Sequence, residues 1–234
     1  MEEKNWLNQS DLFSELSSSE KKQLLSIGKS GSYNKDEYIF QAHTPEKSIY
    51  LLTEGHAKVF HVSETGKEVI LWFSLPGEVF GLAECLSGGR RKVYAQACSH
   101  ATVIAIPEIE FNQFLSENNK LALVLIQLLS NRLRILSKTL LSVSTDDAKK
   151  KVIHIINRLS QCYGRLHKNT IAIDFIITHQ EIADMIGISR QTVTTVINQL
   201  KRQNRLYVQN HKIHLIYSSW YHDQQEIEPG KFIA

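Results

Sequence analysis

Apolar and polar positions follow two different rhythms along the chain. Asp11 to Ile27 reads as a short helix, broken at Ser17-Ser18-Ser19-Glu20, where a second helix start is expected. From Tyr33 to Ile106 the period is two. Ile49-Tyr50-Leu51-Leu52, His56 to Val62 and Val69 to Phe73 are short β-rich runs. Thr53-Glu54-Gly55, Glu64-Thr65-Gly66-Lys67 and Leu75-Pro76-Gly77-Glu78 are the turn signals that bound them. Short strands at this spacing, with no long helix between them, predict an antiparallel barrel or sandwich.

Beyond Pro107 the rhythm is helical. Ala122, Ile126, Leu129, Leu133, Leu136, Leu140 and Val143 recur at alternating steps of four and three, which is a coiled-coil seam. Leu121, Leu123, Val124, Leu125, Leu128 and Ile135 of the same stretch are also apolar. One face can therefore lie on the β domain while the seam meets a second copy of the chain. A long helix lying wholly on its own domain is the other reading. Ser144-Thr145-Asp146-Asp147 interrupts the pattern and serves as hinge and N-cap for a helix from Ala148 to Cys162. Tyr163 to Lys168 reads as a polar loop.

The most specific segment runs from Ile177 to Leu206. Thr178-His179-Gln180-Glu181 fits a capping box, and Ile182, Ala183, Met185 and Ile186 give the helix behind it an apolar face. Gly187 supplies a turn that needs positive φ. Ser189 then caps a second helix from Arg190 to Gln203, apolar at Val193, Ile197 and Leu200. Its opposite side carries Arg190, Gln191, Thr194, Thr195, Asn198, Lys201 and Arg202. This is a helix-turn-helix with a polar, basic second helix; a helical hairpin with a merely solvated outer face is the plainer reading. Arg can bond N7 and O6 of guanine together, and Gln can do the same at adenine N6 and N7. Residues at the start of such a helix reach base edges, and Lys201 and Arg202 suit phosphates. Thr178, His179, Gln180, Ser189 and Thr192 complete the candidate contact set. Arg205 to Gln209 and Lys212 to Ile216 flank an Asn210-His211 turn and read as a hairpin. That hairpin is a wing whose tip offers His211 and Lys212 to a backbone.

Charge sharpens this picture. Of the 234 residues, 42% are hydrophobic and 22% charged, with a net charge of +3, an ordinary globular balance that excludes disordered, fibrous and disulfide-dense classes. Residues 1–146 hold 15 basic and 17 acidic side chains, whereas residues 147–225 hold 11 basic and 5 acidic ones. A basic block in a near-neutral chain suits a polyanion. Cys85, Cys98 and Cys162 form no CxxC pair, so no disulfide framework or four-cysteine cluster is outlined. Cys85 and Cys98 read as buried structural residues of strands. No segment approaches about 18 unbroken apolar residues, and Met1 to Asn8 lacks the apolar run of a signal peptide. A soluble cytoplasmic protein is the expectation.

The order of these parts resembles the CRP/FNR transcription regulators over about residues 10–217. The likeness is strongest from Ile177-Thr178-His179-Gln180-Glu181 through Gly187-Ile188-Ser189-Arg190-Gln191-Thr192-Val193. The resemblance implies an α+β fold with an N-terminal antiparallel β-roll (jelly-roll-like, a double-stranded β-helix), a long dimerisation helix and a C-terminal winged helix-turn-helix. The expected spans are 1–115 for the roll, 116–146 for the helix and hinge, 147–225 for the DNA-binding domain and 226–234 for a tail. It implies a homodimer on palindromic double-stranded DNA, acting at promoters as activator or repressor and touching RNA polymerase through Tyr163–Lys168. The position of Arg190 contacts a guanine in each half-site. Gln191 stands where Glu is common and Thr195 where Arg is common, so the half-site is expected to shift at one or two base pairs.

The resemblance also places a small effector in the roll. Cyclic-nucleotide binders use a Gly-Glu-Leu run and an Arg-Ser or Arg-Ala pair; this chain has Gly81-Leu82-Ala83-Glu84 and Gly88-Gly89-Arg90-Arg91-Lys92-Val93-Tyr94. A Thr-Ser pair on the long helix falls at Leu136-Ser137. A cyclic nucleotide, a dicarboxylate on paired arginines as in the 2-oxoglutarate-sensing branch, and a solvated hairpin tip over an empty roll are the three open readings. The candidate effector residues are Gly81, Leu82, Glu84, Arg90, Arg91, Lys92, Val93, Tyr94, Leu136 and Ser137. An N-terminal cysteine cluster is absent, and nothing singles out His43, His56 or His61 as a haem ligand, so no metal is expected. No catalytic motif emerges; His154 and Cys162 lie eight apart on one helix, which is no catalytic spacing. Enzyme and non-DNA cyclic-nucleotide module are the rival classes. A dimer whose DNA-binding competence needs no effector is the alternative within the preferred class.

Overall fold

Strand faces that are apolar on both sides need two cores, and the N-terminal half supplies them. The computed structural model describes residues 16–45 and 47–221. The expected helix from Asp11 lies outside that range up to Glu15, and so does the tail from 226. The chain forms two compact units, one through Ser137 and one from Lys138.

In the first unit, α1 (Ser18–Ile27) starts at Ser17 with a capping box closed by Glu20. Eight strands follow: β1 (Lys29–Tyr33), β2 (Tyr38–Phe40), β3 (Ser48–Glu54), β4 (Ala57–Val62), β5 (Glu68–Ser74), β6 (Val79–Phe80), β7 (Tyr94–Ala97) and β8 (Ala101–Pro107). They pair antiparallel in two four-stranded sheets, ordered β1-β8-β3-β6 and β2-β7-β4-β5, as the expected roll requires. Alternation assigns each residue to a core. Tyr50, Leu52, Phe80, Ala95, Ala97, Ala101 and Val103 fill the roll interior. Ile49, Leu51, Val79 and Ile106 point the other way, into a cluster with helices.

Those helices are α2 (Leu82–Ser87), α3 (Glu108–Glu117) and α4 (Asn119–Thr145). The 27 residues of α4 bury Leu121, Leu125 and Leu128 in the helix-facing cluster. Its predicted seam lies elsewhere. Ile126, Leu129, Leu133, Leu136 and Leu140 are exposed in the single chain, Leu133 to 67%, and Ala122 and Val143 are half-buried. Cys85 is buried as expected, but on α2 rather than a strand, because Gly81 at φ 78 turns the chain out of β6 into a helix. Cys98 is only half-buried.

The second unit begins inside α4. Its last turns are tied to α5 (Ala148–Tyr163) by Arg158, which donates to Thr139 Oγ1, and by Asp146, which accepts from Ser142 and from His154 Nδ1 at 2.8 Å. The sequence puts the hinge at Asp146–Asp147; the compact units part several residues earlier, at Ser137/Lys138. Asp147 caps α5 through Lys150 N. The expected polar loop from Tyr163 is instead β9 (Gly164–His167), hydrogen-bonded to β10 (Thr170–Ile173) through a turn at Lys168. Its polarity reflects an exposed edge position, not the absence of a strand. Then come α6 (His179–Ile186), α7 (Arg190–Arg202), β11 (Leu206–Gln209), β12 (Lys212–Ile216) and α8 (Tyr217–Tyr221). Asn210 and His211 both have positive φ, which a two-residue hairpin of this kind demands. The expected wing is therefore half of a four-stranded sheet, ordered β11-β12-β10-β9.

Leu128 is almost fully buried. Leu128→Ala is expected to cost about 2–5 kcal/mol, read as an earlier chemical-denaturation midpoint with an unchanged slope.

Candidate nucleic-acid interface and roll interior

Caps set the helix-turn-helix before packing does. Thr178 Oγ1 accepts from Glu181 N at 3.1 Å, and Glu181 Oε2 accepts from Thr178 N at 2.7 Å. Gly187 at φ 70 ends α6, with its N–H donating to Ala183 O. Ser189 Oγ accepts from Thr192 N at 3.0 Å and opens α7. Val193, Val196, Ile197 and Leu200 are buried, so the opposite face of α7 turns outward. Arg190, Gln191, Thr195, Asn198 and Arg202 are exposed; Thr192, Thr194 and Lys201 are half-buried.

Several predicted contact residues have internal duties. Thr194 and Thr195 donate to the carbonyls of Arg190 and Gln191 at 2.9 and 3.0 Å, which leaves the Thr195 methyl as its freer group. Since the Thr194 hydroxyl proton goes to Arg190 O, the 2.8 Å contact with His179 Nδ1 has the imidazole N–H as donor. Ser189 is spent on the cap, and Gln180 Nε2 donates to Asp184 Oδ1 at 2.8 Å. Lys212 has an internal partner as well. Its ammonium donates to Asp174 O at 2.8 Å and pairs with Asp174 Oδ1 at 3.3 Å, so it is engaged within the sheet while His211 is exposed at the tip. Asp174 also pairs with Arg165 at 2.7 Å. Nothing in its own neighbourhood of sequence announced these contacts, because both partners reach it across the sheet.

The roll interior sorts the effector candidates by strand parity. Arg91 is 1% exposed and Val93 packs on the interior cluster. Arg90 and Lys92 are exposed, so the reading of all three basic residues as a solvated tip fails at Arg91. Tyr94 lies on the other face of its strand and stacks on Phe60 at 5.4 Å. Leu82 is buried in the helix-facing cluster, away from the interior. Ser137 donates to Leu133 O on exposed helix surface, and Leu136 belongs to the seam. Arg91, Glu84 and Gly81 do come together. The Arg91 guanidinium lies 4.0 Å from the Phe40 ring and 5.4 Å from the Tyr50 ring. It donates to Ser48 O and, at 3.5 Å, to Gly81 O, and pairs with Glu84 Oε2 at 3.5 Å. Sequence reasoning missed Phe40, Ser48 and Tyr50. It also missed Arg132, which donates to Val79 O at 2.7 Å and covers the Trp72 ring. Among the described residues no group of His, Cys, Asp and Glu could hold a metal, and no helix is long and apolar enough to cross a membrane.

Comparison with known proteins agrees with this geometry. The cyclic nucleotide-binding domain model matches residues 31–118, and the Crp-like helix-turn-helix domain model matches residues 150–216. The global nitrogen regulator of Synechococcus elongatus is 29% identical over 184 residues, covering 77% of this chain and 82% of that protein. The anaerobic regulatory protein of Pasteurella multocida is 26% identical over 75% of this chain and 64% of its own length. Among solved structures, a CooA mutant from Carboxydothermus hydrogenoformans superposes with a TM-score of 0.74 at 20% identity, covering 93% of this chain and 95% of that one. FixK2 from Bradyrhizobium japonicum gives 0.71 at 21%, covering 84% and 96%.

Burial, then the charges of Lys201 and Arg190, hold the His179 imidazole below its ordinary 6.5. With a depressed folded-state value, the stability tied to this neutral buried ring is complete above pH 6.5 and is lost as pH falls through the lowered value. The melting midpoint is expected to drop more steeply between about pH 6.5 and 5 than that of His179→Gln. Parallel curves would contradict this.

Proposed function

The chain belongs to the CRP/FNR family of DNA-binding transcription regulators, and from that membership we propose that it acts as a homodimer reading a palindromic site with Arg190, competence being set by what occupies the roll. The carrying observation is the pairing of an outward basic helix face, Arg190 to Arg202, with an apolar stripe on α4 that the described residues leave open. Contiguous exposed apolar surface of this kind marks an association site, and its heptad spacing supports a two-helix seam. Two copies so joined present two recognition helices, which suit half-sites about 34–36 Å apart.

Within α7, Arg190 and Gln191 are the base readers, Arg190 on guanine and Gln191 on adenine. Thr195 offers a methyl suited to thymine where a longer side chain would reach a donor or acceptor. Lys201 and Arg202 neutralise phosphate, and His211 reaches the backbone from the wing. The domain spans follow the same logic: roll, long helix with hinge, and winged domain to about residue 225. The exposed edge β9, with Leu166 70% exposed, is the surface offered to RNA polymerase. The relatives' names support regulation of transcription and leave its sign open.

Arg190→Ala is expected to cost about 1–3 kcal/mol of DNA affinity and to relax selection at one base pair; an unaltered selection profile would remove Arg190 as a base reader. Leu133→Asp, at an exposed position, is expected to keep the melting behaviour of a folded chain while halving the mass seen by light scattering and abolishing tight DNA binding. A wild-type mass of one chain, 26.8 kDa, would refute the dimer.

A further inference from the structure

We propose that the roll of this chain is self-liganded: the Glu84 carboxylate, seated against the buried Arg91 guanidinium, supplies the anion that this buried cation calls for, so that DNA-binding competence does not wait on a diffusible effector. This rests on the regulator reading above and names what fills its roll. Arg91 is among the largest fully buried side chains of the molecule. A buried cation must be neutralised locally, and Glu84 is itself 7% exposed. The carboxylate Oε1 accepts from Lys92 N at 3.3 Å, while its Oε2, which has no hydrogen-bond partner among the described residues, meets Arg91 Nη1 as an ion pair at 3.5 Å. The aromatic faces a planar ligand would need, Phe40 and Tyr50, are already covered by the guanidinium. The main chain is shaped around the same group. A Cβ on Gly81, which stands at φ 78, would lie 3.0 Å from Arg91 Nη1 and 3.1 Å from Ser48 O. Arg91 O accepts from His43 N at 2.8 Å, which fastens the loop before β3 to it.

An effector would have to expel Glu84 from a partner buried beside it. The proposal therefore predicts a roll indifferent to added anions until Glu84 is removed. In Glu84→Ala the guanidinium is left buried without its counter-charge, and the melting midpoint is expected to fall by roughly 10 °C. Sodium formate should restore several degrees of that loss relative to sodium chloride at equal ionic strength. Glu84→Gln, which keeps the shape, should lose less and respond to formate less. Glu84→Ala with Arg91→Met should be insensitive to formate. Wild-type protein should show no shift with millimolar cyclic AMP, cyclic GMP or 2-oxoglutarate, and should retard its DNA in buffer free of them. A wild-type shift with any of those three, or a Glu84→Ala midpoint equal to wild type, overturns the proposal. So does DNA binding that appears only on addition of one of them, although the regulator reading would then stand. Failure to bind DNA under every condition would sink the regulator reading instead, and the formate arms would still judge Glu84.

Discussion

One helix has to satisfy two apolar surfaces, and the rest of the molecule is arranged around that demand. Leu121, Leu125 and Leu128 of α4 close the helix-facing core of the roll. At about 25 cal/mol per Å² of apolar surface buried, three leucines fix the first half of α4 firmly. The seam from Ile126 to Leu140 is a separate stripe that no core among the described residues uses. A helix that served only its own domain would carry polar residues there. Ile126, Leu129, Leu133, Leu136 and Leu140 instead keep that stripe apolar and open to water in the single chain.

Polar chemistry in the second unit is divided with similar economy. Side chains with short reach, Ser189, Thr194 and Thr195, bond to backbone within a turn and shape α7. Those with long reach, Arg190, Gln191 and Arg202, stay exposed. His179 braces α6 on α7 through Thr194, while burial and the charges of Lys201 and Arg190 favour its neutral form. The Asp174 pairs with Arg165 and Lys212 hold sheet strands together in the same manner.

What could be read from the sequence follows from the range of the forces involved. The helix start at Ser17, the capping box at Thr178, the Asn210-His211 turn and the helical spacing of α4 are encoded locally, and each was legible. The strand Gly164–His167 was not, because its partner β10 decides it and its own residues are polar. Lys212 looked like a phosphate contact because Asp174 lies 38 residues away. Arg91 stood among the roll candidates, but a solvated tip was left open beside that reading. Arg91, Val93, Ala95 and Ala97 share one parity, and the last two sit on the roll interior, so alternation pointed the guanidinium inward from the start. The glycines before it and the basic neighbours on either side masked that signal.

A buried ion pair is a poor source of net stability, since desolvation offsets most of its attraction. The worth of the Arg91–Glu84 pair must therefore lie in what it positions. Arg91 takes the carbonyl of Gly81 from inside the roll, and Arg132 takes the carbonyl of Val79 from α4. The two carbonyls flank Phe80, whose ring stacks on Tyr50 at 5.5 Å. A two-residue strand is thus pinned at both ends by arginines from opposite layers. It cannot shift toward one without lengthening its bond to the other. The corner after β6 is therefore where the state of the roll interior and the seating of the long helix meet mechanically, and a carboxylate carried by the next helix turn holds that corner in one arrangement.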